Sequence, residues 1–560
     1  MSYQVPLSSA FNNTKNRSGV LSPQSGMCSF CTEDCAGTCE IALAAVLGAQ
    51  TVYPTTTGTN QVASEKDYPI DYSHFNINGR CFGAQGAAAS YDSAAIYQVD
   101  LGCQYGADHP VKLAMPVVLP ALIKLNWEDY FGGAAMAGVT CMVGEDAKSK
   151  NPELVLKDGK IQHFPLLGKI RDAFQRYDRG YGQMVLQCDV EDDMAGLPEY
   201  ALGIGLTALE FKFGQSAKGT QPAIRVPDLD TALKKQAQGL IVHPDPSDPA
   251  VQKAYADGVC PNFYTYARLP LWEEEFLTQR ITQLRAQGAK NIYFKMAGYD
   301  PRDVRRVLRL ASDLRVDMVT FDGAGGGSGY SPCKMMNEWS LPTVCLEDAV
   351  VRVARQIRSE GKYLPTITMT GGFASEDQVF KALAYGDGLV SAVGLCRASM
   401  AAAMTGKKIG DLIAAGKTPE RLKAYGSTVA EIYADLPDLR ALYGKEADQF
   451  SPGAIGVFSY LNKIAFGLRH FAALNRKFSA SLLSREDVIP LTDMARDLAQ
   501  GQVVRGPHAA GLSPAWTGPP DRRPHRLRFR PVEPWAHRKT SKQDSVLLIH
   551  CINYIILLFY

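Results

Sequence analysis

The sequence predicts an α/β protein built on a (β/α)8 barrel, and three observations carry that prediction. Short β-rich apolar runs alternate with amphipathic helical runs, the pattern of parallel strands that return through a helix. Eight such runs lie between residues 111 and 394. Two stretches, Ala208 to Lys218 (ALEFKFGQSAK) and Val316 to Pro332 (VDMVTFDGAGGGSGYSP), set a strand directly before a lysine-bearing or glycine-loaded loop. In a barrel, the loops after the strand C-termini hold the chemistry.

Taken in order, the predicted strands are 111–118 (VKLAMPVV), 138–144 (GVTCMVG), 183–188 (QMVLQC), 208–213 (ALEFKF), 291–297 (NIYFKMA), 316–322 (VDMVTFD), 365–370 (PTITMT) and 388–394 (GLVSAVG). Between them run amphipathic helices. The run 273–288 ends in Gly, 301–313 opens on Pro, and 375–386 has Ser at one end and Gly at the other, each a helix-end signal. A long insertion, 219–270, precedes the fifth strand. The expected organisation is a Cys-rich segment at 1–70, a connecting segment at 71–110, the barrel at 111–410, a helical extension at 411–500, and an unstructured or non-native tail at 501–560.

Composition narrows the partners. The chain has 560 residues, 46% hydrophobic and 21% charged, with a net charge of +2. Residues 501–560 carry nine Lys and Arg against three Asp and Glu, so the first 500 residues stand at −4. Such a body lacks the basic stripe that nucleic acid requires. The N-terminus (MSYQVPLSSAFNNTKNRSG) has no apolar run of a secretory signal, which predicts a cytoplasmic protein with mostly reduced thiols. The tail joins a Pro- and Arg-rich stretch to SVLLIHCINYIILLFY, 16 residues against the roughly 20 of a membrane span. No membrane is expected as a partner; a tail anchor is the competing reading.

The end of the seventh strand runs into Gly371-Gly372, and the eighth ends at Gly394 before the helical run Arg397 to Thr405. Glycines expose backbone N–H groups and a helix N-terminus adds positive potential, so this corner is predicted to hold a phosphate. By contrast, Gly203-x-Gly205-x-x-Ala208 precedes a strand instead of following one, and is set aside as a dinucleotide fingerprint. Lysines inside apolar strands, Lys212 and Lys295, are read as functional instead of snorkelling surface residues. Asp322 is a candidate catalytic group or an ordinary strand-end acceptor. Cys28, Cys31, Cys35 and Cys39 set four thiols within twelve residues. Thiols that close suit an iron–sulfur cluster, with zinc or unliganded thiols as alternatives. The apolar run Glu40 to Gln50 is expected to pack this segment onto the barrel.

These residues resemble the FMN-binding domain of glutamate synthase. Phe211 to Gly219 is similar to that family's K-I-A-Q-G-A-K-P-G, Thr320 to Pro332 to its S-G-H-D-G-G-T-G-A-S-P, and Met369 to Phe373 to its V-D-G-G-L. Leu113 to Ala121 falls where its first strand reads S-A-M-S-F-G-A, and Thr140 to Asp146 at a loop ending G-G-E-D. The resemblance spans about residues 110 to 410. It implies FMN over the barrel mouth, phosphate at Gly371, Gly372 and Gly394, and the ring near Ala114, Met115, Lys212 and Lys295. Lys295 and Asp322 are the implied catalytic residues, and Gln215, Lys218 and Lys234 would hold 2-oxoglutarate or a related keto acid. A cation beside reduced flavin stabilises its negative charge.

Departures bear on function. The family's E-G-G-Q-L-P-G is here Thr220-Gln221-Pro222-Ala223, and Lys234 stands for a family arginine, losing the bidentate carboxylate fork. With Ser at residue 2 and no N-terminal Cys nucleophile, nitrogen is expected from free ammonia, another subunit or another amine. The reading is an oxidoreductase that reduces a 2-oxoglutarate-derived imine, with electrons from ferredoxin or a reductase subunit through the cluster, in a possible homo-oligomer. The alternative is an FMN and iron–sulfur subunit for electron transfer or redox sensing. A weaker third, a barrel like IMP dehydrogenase, would rest on Cys333.

Overall fold

The computed structural model describes residues 40–48, 68–122, 126–144, 147–214, 224–226, 228–260, 262–266, 272–324, 326 and 339–500. Eight parallel strands close into a barrel: β1 (Val117–Leu122), β2 (Thr140–Val143), β3 (Met184–Cys188), β4 (Ala208–Lys212), β5 (Asn291–Ala297), β6 (Met318–Asp322), β7 (Thr366–Thr370) and β8 (Val390–Gly394). β8 pairs with β1 through Val393–Val117 and Gly394–Val118, which closes the ring. Strand β5, buried along its whole length, shows why these runs read as continuous apolar segments: both faces are covered.

Seven of the eight strands lie where the sequence places them; the first does not. Val111–Leu113 pairs antiparallel with Cys103–Tyr105 as a hairpin, and the barrel strand starts only at Val117. The reason is legible in the burial. Lys112 is exposed between buried Val111 and Leu113, the period-two pattern of a half-covered hairpin, whereas Val117, Val118 and Leu119 are all fully buried. The hairpin is used as a plug. Tyr105, Val111 and Leu113 pack with Val118, Met142, Val185, Ala208, Tyr293, Met318 and Ala392 in a cluster that fills the N-terminal end of the barrel.

The insertion after β4 has its own small core. Strands 224–226, 263–266 and 241–243 form an antiparallel sheet, with helices Leu229–Ala237 and Pro249–Ala256 beside it. Val226, Ala232, Val242 and Phe263 are its buried centre.

Helices surround the barrel: α1 (Glu40–Leu47), α2 (Trp127–Ala137), α3 (Pro165–Gln175), α4 (Glu274–Ala286), α5 (Pro301–Asp313), α6 (Thr343–Ser359), α7 (Glu376–Gly386), α8 (Arg397–Ala414) and α9 (Pro452–Leu474). Pro at the first position of α5 and the Ser375 capping box of α7 match the start signals in the sequence. In α1, Ile41 to Leu47 are all buried, against α8 and α9. The helices approach closely because glycines face one another: a Cβ on Gly456 of α9 would lie 2.8 Å from the Ala402 carbonyl and 3.1 Å from Gly406 Cα of α8. Among the described residues no helix is long and apolar enough to cross a membrane.

The chain ends of this unit are tied together. Phe75–Ile77 pairs antiparallel with Val488–Pro490. Just before it, Tyr72 donates its hydroxyl hydrogen bond to Glu347 of α6, and both residues are buried. Burial pushes the Glu347 carboxyl well above the usual carboxylate range. A carboxyl that keeps its proton when folded loses stability as pH rises from its unfolded value, near 4.3, toward its folded one, because the unfolded chain ionises first. Glu347→Gln should therefore change the melting temperature little near pH 4 and raise it relative to the parent as pH climbs above that. A pH-independent difference in thermal unfolding would rule this out.

Candidate functional site

Tyr293 points into the barrel cluster, so by alternation Lys295 and Ala297 face inward too. The same phase puts Glu210 and Lys212 of β4 and Thr320 and Asp322 of β6 on the inner face, two and four residues beyond Ala208 and Met318. Lys212 and Lys295 are register partners across β4 and β5, and Lys295 is in turn the partner of Thr320. They are 4% and 3% exposed. The two lysines that the sequence singled out thus stand side by side, in the layer just above the apolar plug.

Carboxylates lie on the same inner face, one step below and one step above the lysines. Glu210 is the register partner of Gln187, whose side-chain amide donates to it, and both are buried. Asp322 closes β6 beside Ala297 and Thr370. Its charge and burial push the Tyr299 hydroxyl up to about 12. Tyr299, just beyond β5, leans over the end of the neighbouring strand, its hydroxyl packed against Gly214 beyond β4. A ring of lysines, carboxylates and hydroxyls over a dry floor suits an anionic or polar ligand, because desolvated charges interact strongly there. Among the described residues, Thr320 and Thr368, neighbours on β6 and β7, also carry buried hydroxyls with no hydrogen-bond partner. Unmatched buried polar atoms of this kind call for a ligand or water.

The corner at β7 and β8 is glycine-built, as expected. Gly371 and Gly372 have φ of +115° and +86°, in the left-handed region that favours glycine. Among the described residues nothing accepts the amides of Gly372 and Phe373. At Gly394 the backbone packs too closely for a side chain: a Cβ there would lie 2.6 Å from Pro120 Cγ and 2.8 Å from Thr370 Cβ. Two residues on from Gly394, Cys396 is the N-cap of the 18-residue helix α8 and its thiol donates to the Pro120 carbonyl at 3.6 Å, so a helix N-terminus with its first-turn amides follows the corner directly. Arg397, 6% exposed, lies at its first position.

Sequence reasoning missed Tyr299, Glu210, Gln187 and Arg397. Glu210 was within reach, two residues before Lys212 on the same strand face, and Arg397 directly follows the eighth strand's glycine. Tyr299 left no signal, since a loop residue's direction is set by tertiary contacts. Ala114 and Met115 require correction. Ala114 donates to Gly138, ahead of β2, so both residues sit at the plugged end of the barrel and not at the mouth. Pro120 is the β1 residue beside Gly394 instead. Lys234 is exposed on the insertion's own helix, and no described contact brings it to the two buried lysines. Gln215 and Lys218 lie outside the described residues, as do Cys28, Cys31, Cys35, Cys39 and Cys333. Among the described residues no group of three or more His, Cys, Asp or Glu is placed to hold a metal ion.

Residues 268–405, from before α4 through β5 to β8 and the first half of α8, match the conserved region in glutamate synthase. No curated protein matches the chain. Solved structures that superpose on it include a doubly substituted flavocytochrome b2 with pyruvate bound, at 12% identity and TM-score 0.41, covering 80% of this chain and 85% of that one. The recombinant flavin-binding domain of baker's yeast flavocytochrome b2 gives 12% identity, 79% and 84% coverage and TM-score 0.41. A mandelate oxidase variant with (S)-mandelic acid gives 14% identity, 74% and 86% coverage and TM-score 0.39. At this level they add nothing to the barrel that strand pairing establishes.

The corner yields a direct test. Gly394→Ala forces its new methyl into Pro120 and Thr370, so it should lower the unfolding free energy by the roughly 1–3 kcal/mol typical of overpacking, read as a lower denaturant midpoint. An unchanged midpoint would mean that β1, β7 and β8 meet less closely than described.

Proposed function

We propose that this protein is an FMN-dependent oxidoreductase related to glutamate synthase, acting on a keto acid-derived imine, with 2-oxoglutarate as the first substrate to test. One observation carries the proposal: the glycine-built corner at Gly371, Gly372 and Gly394 and the inward Lys295 both fall inside the stretch that matches the glutamate synthase region. The corner fits a phosphate. Its donors would be the Gly372 and Phe373 amides and the first turn of α8, which Arg397 opens, with open space beside Gly372.

FMN bound there would supply hydride chemistry at the mouth. Lys212 and Lys295 would hold negative charge, either on the flavin's polar edge or on a substrate carboxylate. Asp322, with the Tyr299 hydroxyl beside it, would orient the substrate's nitrogen end. The plug of Tyr105, Val111 and Leu113 keeps water from the other end of the barrel. Ferredoxin or a reductase subunit as electron donor, an iron–sulfur cluster on Cys28, Cys31, Cys35 and Cys39, and ammonia or an amine as nitrogen source complete the proposal.

A second reading has one observation in its favour. Lys234 stands exposed on the insertion and is not brought to the mouth lysines, so a carboxylate clamp from that helix is not assembled among the described residues. The barrel would then serve electron transfer or redox sensing without keto-acid chemistry.

Anaerobically purified protein should show flavin absorbance, release FMN on acid extraction and carry further visible absorbance from a cluster. Adding 2-oxoglutarate should perturb the flavin bands on the first reading and leave them unchanged on the second. Absence of extractable flavin overturns both. Lys295→Met keeps the stem and removes the charge, so it should make the bound flavin harder to reduce and weaken an acidic ligand roughly ten-fold to a hundred-fold, the usual result of losing a charged hydrogen bond. An unaltered midpoint potential would remove Lys295 from the ring's surroundings.

A further inference from the structure

Thr343 opens α6, far in sequence from the corner, yet it is wedged between the ends of β6 and β7. It is 7% exposed. Its hydroxyl oxygen lies 2.7 Å from the Gly371 carbonyl and 3.2 Å from the Ala324 carbonyl. One proton cannot serve both, and the shorter contact takes it.

The glycines on either side are cut to fit this side chain. A Cβ on Gly371 would lie 2.6 Å from the Gly323 carbonyl oxygen and 2.9 Å from Thr343 Oγ1, and a Cβ on Gly323 would run into Thr343 itself. Gly323 in turn donates to the Thr370 carbonyl at 2.9 Å, and Ala324 to Leu341 at 2.7 Å, just ahead of the helix. Two strand ends and a helix start are thus locked around one hydroxyl.

The direction of that hydrogen bond matters. In a trans peptide the carbonyl and the following N–H point opposite ways. With the Gly371 carbonyl held by Thr343, the amide of Gly372 is aimed away from α6. That amide meets no acceptor among the described residues. On the far side of the same loop, Tyr460 of α9 donates to the Ala374 carbonyl at 2.7 Å, and Lys463 pairs with Glu376, so the loop is held from behind as well.

We propose that Thr343 is a positioning residue: its hydroxyl sets the Gly371–Gly372 peptide so that the Gly372 amide donates to the phosphate of the bound cofactor. This rests on the FMN reading above and adds to it a residue that never touches the ligand. The proposal concerns the phosphate alone, so riboflavin, which has the same ring and side chain without a phosphate, is the control.

The experiment compares FMN and riboflavin affinity of the full chain by fluorescence quenching, for the parent, Thr343→Val, Thr343→Ala and Thr343→Ser. Thr343→Val keeps the shape and removes the donor. It should weaken FMN at least ten-fold, leave riboflavin within about two-fold, and keep the parent's circular dichroism; Thr343→Ser should restore FMN binding. Equal loss of both ligands, or an unchanged FMN-to-riboflavin ratio in a folded variant, overturns the positioning role. A parent that does not prefer FMN to riboflavin overturns the phosphate reading itself. A measurement on the parent needs no substitution: with 15N-labelled glycine, FMN but not riboflavin should shift the Gly372 amide proton downfield, and an unmoved resonance overturns the proposal even if every variant fails to fold.

Discussion

Closing eight parallel strands into a ring decides which side chains of this protein can meet. Once β8 is hydrogen-bonded to β1, every second residue of every strand faces one axis, and the register between neighbours sets its height along that axis. Lys212 and Lys295 are cross-strand neighbours because Ala208 pairs with Asn291 four residues earlier. Burying two ammonium groups beside each other is costly in a low dielectric, so the layer must supply compensation. Glu210 and Asp322 are on the same inner face, diagonal to the lysines, and hydroxyls from β6 and β7 fill the remaining positions. The polar mouth and the apolar plug follow from one alternation read at two heights.

The parts outside the barrel serve that arrangement mechanically. Helix α9 lies against α8, α2 and α1 and touches the corner loop through Tyr460 and Lys463. Close approach there depends on Gly406, Gly453 and Gly456, whose missing side chains let the helices pack backbone to backbone. The strap formed by Phe75–Ile77 and Val488–Pro490 fastens both ends of the described unit beside α7, and Tyr72 anchors it to α6. Thr343 lies one turn before Glu347 at the start of the same helix. A segment that looks like a connector in sequence is therefore part of the core that keeps the corner rigid.

Much of the fold was legible because it depends on short-range rules. Continuous apolar runs bounded by Gly, Pro and Ser marked seven strands, and caps at Pro301, Ser375 and Gly386 marked helix ends where they occur. The glycines of the corner were legible too, because two successive strands, the seventh and the eighth, both end on them. Lys212 and Lys295 stood out because a charge inside an apolar strand needs a reason. The error at Ala114 and Met115 has an equally local cause. A run of eight residues, VKLAMPVV, holds a hairpin strand and the start of a barrel strand on either side of Pro116, and only the exposed Lys112 betrays the change of period.

By itself the sequence determined the barrel, the order of its strands and the residue types at their C-terminal ends, because periodicity and turn chemistry are written in neighbouring residues. Tertiary structure alone decided that Lys212 stands beside Lys295, that Tyr299 leans across Gly214 toward Asp322, that Lys234 stays out on the insertion, and that Thr343 orients a peptide twenty-eight residues away. Those pairings join residues far apart in the chain, and their geometry comes from strand register and helix packing, which no local pattern encodes.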